Sequence, residues 1–141
     1  MHDNQSPAWY PLLRMINPRV TILCTLWLVA VAVIVAVTTM PWSNYLGHPQ
    51  WDRVNWIPFS DHPLLEILGN VALFIPFGYF FPQARRGQSL KRSWSLPLIT
   101  ATMLSIGVEF YQVYTHNRFP STTDICANLL GAILGLMLHR W

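Results

Sequence analysis

The stretch "SIGVEFYQVYTHNRFPSTTDICANLLGAILG", Ser105 to Gly135, decides how this chain is read. Its apolar content describes two membrane-spanning helices joined by a short turn. Its polar content, Glu109, Gln112, Arg118, Asp124 and Asn128, is expensive inside a bilayer. Both descriptions hold together only if the polar side chains face one another inside a helical bundle.

Composition favours the membrane. Hydrophobic residues make up 52% of the 141 and charged residues 11%, against roughly 25% charged in an ordinary soluble domain. So few charges cannot cover a water-exposed surface. The net charge is +3, but the basic residues sit in short loops without the interleaved aromatics of a nucleic-acid binder. No nucleic-acid partner is expected, and the charges report topology instead. Cys24 and Cys126 lie far apart in apolar segments with no C-x-x-C spacing, so both read as small buried apolar residues.

Working outward from Ser105–Gly135, four spans are predicted, at about 20–40, 64–81, 96–114 and 123–138. They make an all-α, single-domain integral membrane bundle. Val20 to Met40 has 21 residues and no charge, and at roughly 1.5 Å per residue it reaches about 30 Å, enough to cross the hydrocarbon core. It exceeds a signal-peptide core of roughly 7–15 residues and no small-x-small cleavage site follows, so an uncleaved first helix is expected. Pro82 is expected to close the second span and Pro97 to open the third, where a missing N–H does least harm. Pro76, inside the second span, frees the carbonyl of Ala72 and predicts a kink.

Four spans put both termini on one side. Arg14, Arg19, Arg85, Arg86, Lys91, Arg92 and Arg140 fall on that side, and Arg53 and Arg118 on the other. Seven basic residues against two predict cytoplasmic termini. Trp9, Trp94 and Trp141 flank the inner ends and Trp42 and Trp56 the outer ends, as interfacial aromatics do. The outer loop Pro41–Pro63 reads as a cap packed on the bundle.

This orientation gathers the polar residues. Glu109 and Gln112 lie near the outer end of span three, Asp124 and Asn128 in the first outer turns of span four, and Glu66 and Asn70 at similar depth on span two. Asn55 and Arg118 belong to the loops above. At about 100° per residue, Ser105, Glu109 and Gln112 fall within roughly 60° of one another, as do Asp124, Asn128, Gly131 and Gly135. Gly131 and Gly135 form a G-x-x-x-G pair, with Ala127 extending the small-residue ridge of a close helix contact. The polar stripe therefore points into the bundle.

Simpler duties compete for each residue. Ser121 to Asp124, "STTD", is a capping box with Ser121 at the N-cap and Asp124 at the third helical position. Asn70 and Asn128 can serve as interhelical hydrogen-bond glue, and Glu66 complements a helix dipole. Arg118 can neutralise Glu109 or Asp124, while His62 and His116 read as interfacial residues. Glu109 resists a bland reading most, because a carboxylate within a span needs a partner or a proton.

"NWIPF" (Asn55–Phe59), "GNVALFIPFG" (Gly69–Gly78), "SIGVEFYQ" (Ser105–Gln112) and "RFPSTTDICANLLGAILG" (Arg118–Gly135) resemble, in order, the motifs of the VanZ-like family. The resemblance spans roughly residues 50–136, and four spaced motifs make it specific. It implies a bacterial cytoplasmic-membrane protein, since the family's namesake is associated with resistance to the glycopeptide antibiotic teicoplanin. It carries no established reaction. Carried over by motif, it marks Asn55, Asn70, Glu109, Gln112, Arg118, Asp124 and Asn128, and leaves Glu66 outside. Many relatives have acids where this chain has Ser121 and Thr123, which removes hard oxygen ligands and argues against a metal site. No cofactor is expected.

Three functions remain open. An outward-facing pocket with Arg118 and several amides suits an anionic or polyhydroxylated head group, because an arginine fork and free helix N–H groups both bind phosphate. The resemblance favours a lipid-linked envelope precursor, with anionic phospholipid as the other source. Alternatively, Glu109 and Asp124 could act as acid and base in hydrolysis or transfer on a lipid-linked substrate, although no Ser–His or Cys–His pair is legible. A proton-coupled carrier fits least, since the inner halves of the spans are almost wholly apolar.

Overall fold

Asn17 and Pro18 open the first helix in the way a helix start requires. Asn17 stands at the N-cap and accepts from the Arg19 N–H at 3.1 Å, and Pro18 follows where no N–H is needed. In the computed structural model, which describes residues 17–60, 63–84 and 94–140, the helices are α1 (Pro18–Thr39), α2 (Leu64–Ala84), α3 (Ser95–Gln112) and α4 (Thr122–Arg140). Two 3-10 turns, Trp42–Asn44 and Trp51–Arg53, lie between α1 and α2. Among the described residues there is no strand. The topology-setting residues Arg14, Arg85, Arg86, Lys91 and Arg92 lie outside them, as do Trp9, Trp141 and His62.

Three helices, α1, α2 and α4, are long and apolar enough to cross a membrane. α3 has 18 residues but is not among them. Ser105, Glu109 and Gln112 dilute its apolar content, and all three are buried. The sequence places the end of the second helix at Pro82, but α2 continues to Ala84 with Pro76 and Pro82 inside it. Packing on α1 holds that last turn, where the Cys24 thiol donates to the Ala84 carbonyl at 3.1 Å. Cys126, expected to be buried, is exposed on α4, because Thr123 and Ala127 take the inward positions beside it.

α1 buries one narrow stripe and leaves most of its apolar residues exposed. Ala30, Ile34 and Thr38 form one buried stripe on α1, while Ile22, Leu28, Val29, Val33 and Val37 are exposed. Trp27 meets Phe77 and Phe81 at ring-centroid distances of 5.7 and 5.5 Å, which fixes α1 against α2. Phe74, Phe77 and Phe81 form the buried spine of α2 with Ile34, Ala101 and Ala132 around them.

α2 and α4 run parallel at backbone contact. A Cβ at Gly131 would collide with the carbonyl oxygen of Val71, one at Gly135 with that of Ile75, and one at Gly78 with that of Ala132. Only glycine lets the two helices approach this closely, as small-residue ridges do between membrane helices.

The loop between α1 and α2 is a cap. Leu46 N–H donates to the Tyr114 carbonyl at 2.8 Å, Gln50 N–H to that of Val113 at 2.9 Å, and His116 N–H to that of Asn44 at 2.9 Å. Arg53 donates to the His116 carbonyl at 2.8 Å and lies 4.2 Å over the Phe119 ring. Tyr45 stacks between Tyr111 and Tyr114. The loop thus closes over the turn from α3 to α4.

Candidate functional site

The turn joining α3 to α4 is where the polar residues gather. Ser105, Glu109, Gln112, Thr115, Ser121, Thr123 and Asn128 are all less than one-tenth exposed. For Ser105, Glu109 and Gln112 on α3 and for Thr123 and Asn128 on α4 the helical spacing explains this, while Thr115 and Ser121 belong to the turn itself.

Glu109 anchors the layer. Its Oε2 accepts the backbone N–H of Ser121 at 2.8 Å. Ser121 in turn accepts the Thr123 N–H on its Oγ at 3.0 Å, as an N-cap serine does. In a capping box the acid that returns to the N-cap N–H stands three residues ahead on the same helix. Here that bond comes from Glu109, on the neighbouring helix. Asp124, which the sequence suggests for the task, accepts from Asn70 Nδ2 on its Oδ1 at 2.7 Å and ties α4 to α2.

The other sequence-derived residues divide into pairs. Asn128 Nδ2 donates to Ser105 Oγ at 2.9 Å, linking α4 to α3, while Asn128 Oδ1 is buried without a hydrogen-bond partner among the described residues. Gln112 Nε2 donates to the Thr38 carbonyl at 3.2 Å and ties α3 to the end of α1. Asn55 works within the cap. Its Oδ1 accepts from Ile57 N–H at 3.1 Å and Ser60 Oγ at 3.2 Å, and its backbone pairs with Pro120 and Thr122. Glu66 is exposed in the first turn of α2.

Arg118 lies at the surface end of the layer. Its Nη2 donates to the Val37 carbonyl at 3.0 Å. α1 has no basic residue in its own last turn, so Arg118 supplies the cation that complements the dipole there. Arg118 and Asp124 are both close enough to Glu109 to interact with it electrostatically. Arg118 also lines a half-open cleft of about 290 Å³ with Thr39, Met40, Pro41, Asn44, Thr115 and Asn117. Glu109, Asp124, Asn70 and Asn128 are not part of that lining.

Sequence reasoning missed several of these positions. Thr123 Oγ1 accepts the Phe59 N–H at 2.8 Å and so holds the cap on α4, and Phe59 itself has a positive φ of 63°. Asn44, Asn117, Thr39 and Thr115 line the cleft although no motif marks them. Asn44, Thr115 and Asn117 lie in connecting segments and Thr39 ends α1, where polar residues carry no periodic signal that sets them apart. Among the described residues, no three of His, Cys, Asp and Glu are grouped to hold a metal ion.

A family model described as VanZ/LLP1 matches residues 22–141. The chain belongs to the VanZ-like family. Neither the curated proteins nor the solved structures compared with it include a match. Family membership and three apolar helices of spanning length make this VanZ-like chain a membrane protein. Its buried polar layer joins the helices and the cap, and its cleft presents one guanidinium beside amides and hydroxyls.

Proposed function

We propose that this VanZ-like protein holds an anionic lipid head group in an outward-facing polar cleft. In this reading four helices span a bacterial cytoplasmic membrane with both termini inside, and Arg118 lies at the outer leaflet. α3 crosses with the other three because its polar side chains are buried against α1 and α4. The head group comes from a lipid-linked envelope precursor or an anionic phospholipid. Sequestering or masking envelope material at that surface would connect the protein to teicoplanin resistance.

The observation that carries this reading is the position of Arg118 on the cleft beside Asn44, Thr115 and Asn117. A planar guanidinium orients phosphate or carboxylate in a way a point charge does not. The same geometry speaks against acid–base chemistry by Glu109 and Asp124. Glu109 Oε2 is engaged by Ser121 and Asp124 Oδ1 by Asn70, so each acid has a structural duty.

Native mass spectrometry of the protein extracted with its lipids tests the proposal. A retained anionic lipid that Arg118→Ala loses supports it. Parent protein without retained lipid contradicts it.

A further inference from the structure

The cleft's charge inventory narrows what it can take. Arg118 is the one cation among the described residues lining it, and the lining contains no carboxylate. Just inside, Glu109 lies within electrostatic reach of both Arg118 and Asp124. One guanidinium with acids behind it offers at most one net positive charge. A doubly charged diphosphate would find only one of its charges met by a cation in this half-open cleft.

Size acts in the same direction. Pockets that hold drug-sized molecules run to roughly 300–1,000 Å³, and this cleft has about 290 Å³. One phosphate with a short polyol fills it, whereas a disaccharide on a diphosphate would extend beyond the lining residues. The remaining polar lining matches that polyol. Asn44 and Asn117 provide amides, and Thr39 and Thr115 hydroxyls. Thr115 Oγ1 donates to the Gln112 carbonyl at 2.9 Å, and Thr39 Oγ1 donates to that of Val35 at 2.7 Å. Both hydroxyls are thus committed to backbone carbonyls, and the two amides are the polar groups left for a ligand. Met40 and Pro41, at the end of α1, give the cleft an apolar flank where a head group would continue into its acyl chains.

We infer that the cleft is selective for a singly charged phosphodiester bearing neighbouring hydroxyls, the chemistry of a phosphoglycerol head group, over diphosphate-linked head groups. This rests on the head-group reading proposed above and chooses between its two sources. Arg118 engages the phosphodiester, and the Asn44 and Asn117 side chains engage the polyol.

The test uses full-length protein in nanodiscs of phosphatidylethanolamine doped with phosphatidylglycerol or with a polyprenyl diphosphate, with retained lipid counted by native mass spectrometry. Phosphatidylglycerol should be enriched about tenfold over the zwitterionic lipid, as one charge-assisted contact provides, with the diphosphate bound no more tightly. Asn117→Asp adds a negative charge to the cleft without touching the bond from Arg118 to Val37, and should abolish the enrichment at unchanged melting temperature. A diphosphate lipid bound about tenfold more tightly than phosphatidylglycerol would overturn the selectivity while leaving head-group binding standing. Equal retention of charged and zwitterionic lipids would overturn both.

Discussion

The backbone N–H of Ser121 donates to Oε2 of Glu109 across 2.8 Å, so a carboxylate on α3 completes the cap of α4. The bond closes the antiparallel α3–α4 hairpin at its polar end, under the cap loop. It gives a buried acid within a helix the partner that such residues require.

Glu109→Gln keeps an acceptor oxygen in place, whereas Glu109→Ala removes the acceptor from the buried Ser121 N–H. The alanine variant should lose about 1–3 kcal/mol of stability and the glutamine variant distinctly less. Thermal melting in detergent measures both. Were Glu109 an acid or base in a reaction, glutamine would abolish function at nearly unchanged stability, whereas the structural role predicts that the glutamine variant keeps its bound lipid.

The glycine contacts predict a graded series. Gly131→Ala and Gly135→Ala drive a methyl into the Val71 and Ile75 carbonyls, while a Cβ at Gly107 meets nothing within 4 Å. The first two should each cost about 1–3 kcal/mol, the usual cost of overpacking, and Gly107→Ala should be close to neutral or stabilising. Equal melting temperatures across the three variants would remove the close α2–α4 approach from the account.

Much of this arrangement is legible in the sequence, for physical reasons. The apolar runs fix the helices, because few other structures satisfy the backbone at such low charge. The 3.6-residue period puts Ser105, Glu109 and Gln112 on one face, and glycines four apart mark the close contact. What stays hidden is partner choice across the chain. "STTD" reads as a self-contained capping box, and only the fold shows that Glu109 reaches Ser121 while Asp124 turns to Asn70. Arg118 could be paired with either acid by sequence distance, yet it bonds the end of α1, 81 residues away. The extension of α2 through Pro82 is hidden too, because tertiary packing overrides a local stop signal.

The basic residues make a topological prediction. Single cysteines at Ser89 and Asn117, in a background lacking Cys24 and Cys126, should differ in labelling by an impermeant maleimide on intact spheroplasts. Asn117 should label and Ser89 should not, since basic loops stay cytoplasmic. The reverse pattern would place the cleft inside the cell and end the outer-leaflet reading.

The most direct test of the central claim compares Arg118→Lys and Arg118→Ala for retained anionic lipid, with melting temperature measured alongside. Arg118 has a structural bond to the Val37 carbonyl, and a lysine ammonium can replace that single contact. Lysine should therefore largely preserve the melting temperature yet lose bound lipid almost as completely as alanine, because it lacks the planar fork. A lysine variant that retains as much anionic lipid as the parent, at the same melting temperature, would contradict the claim and leave Arg118 as the cap of α1.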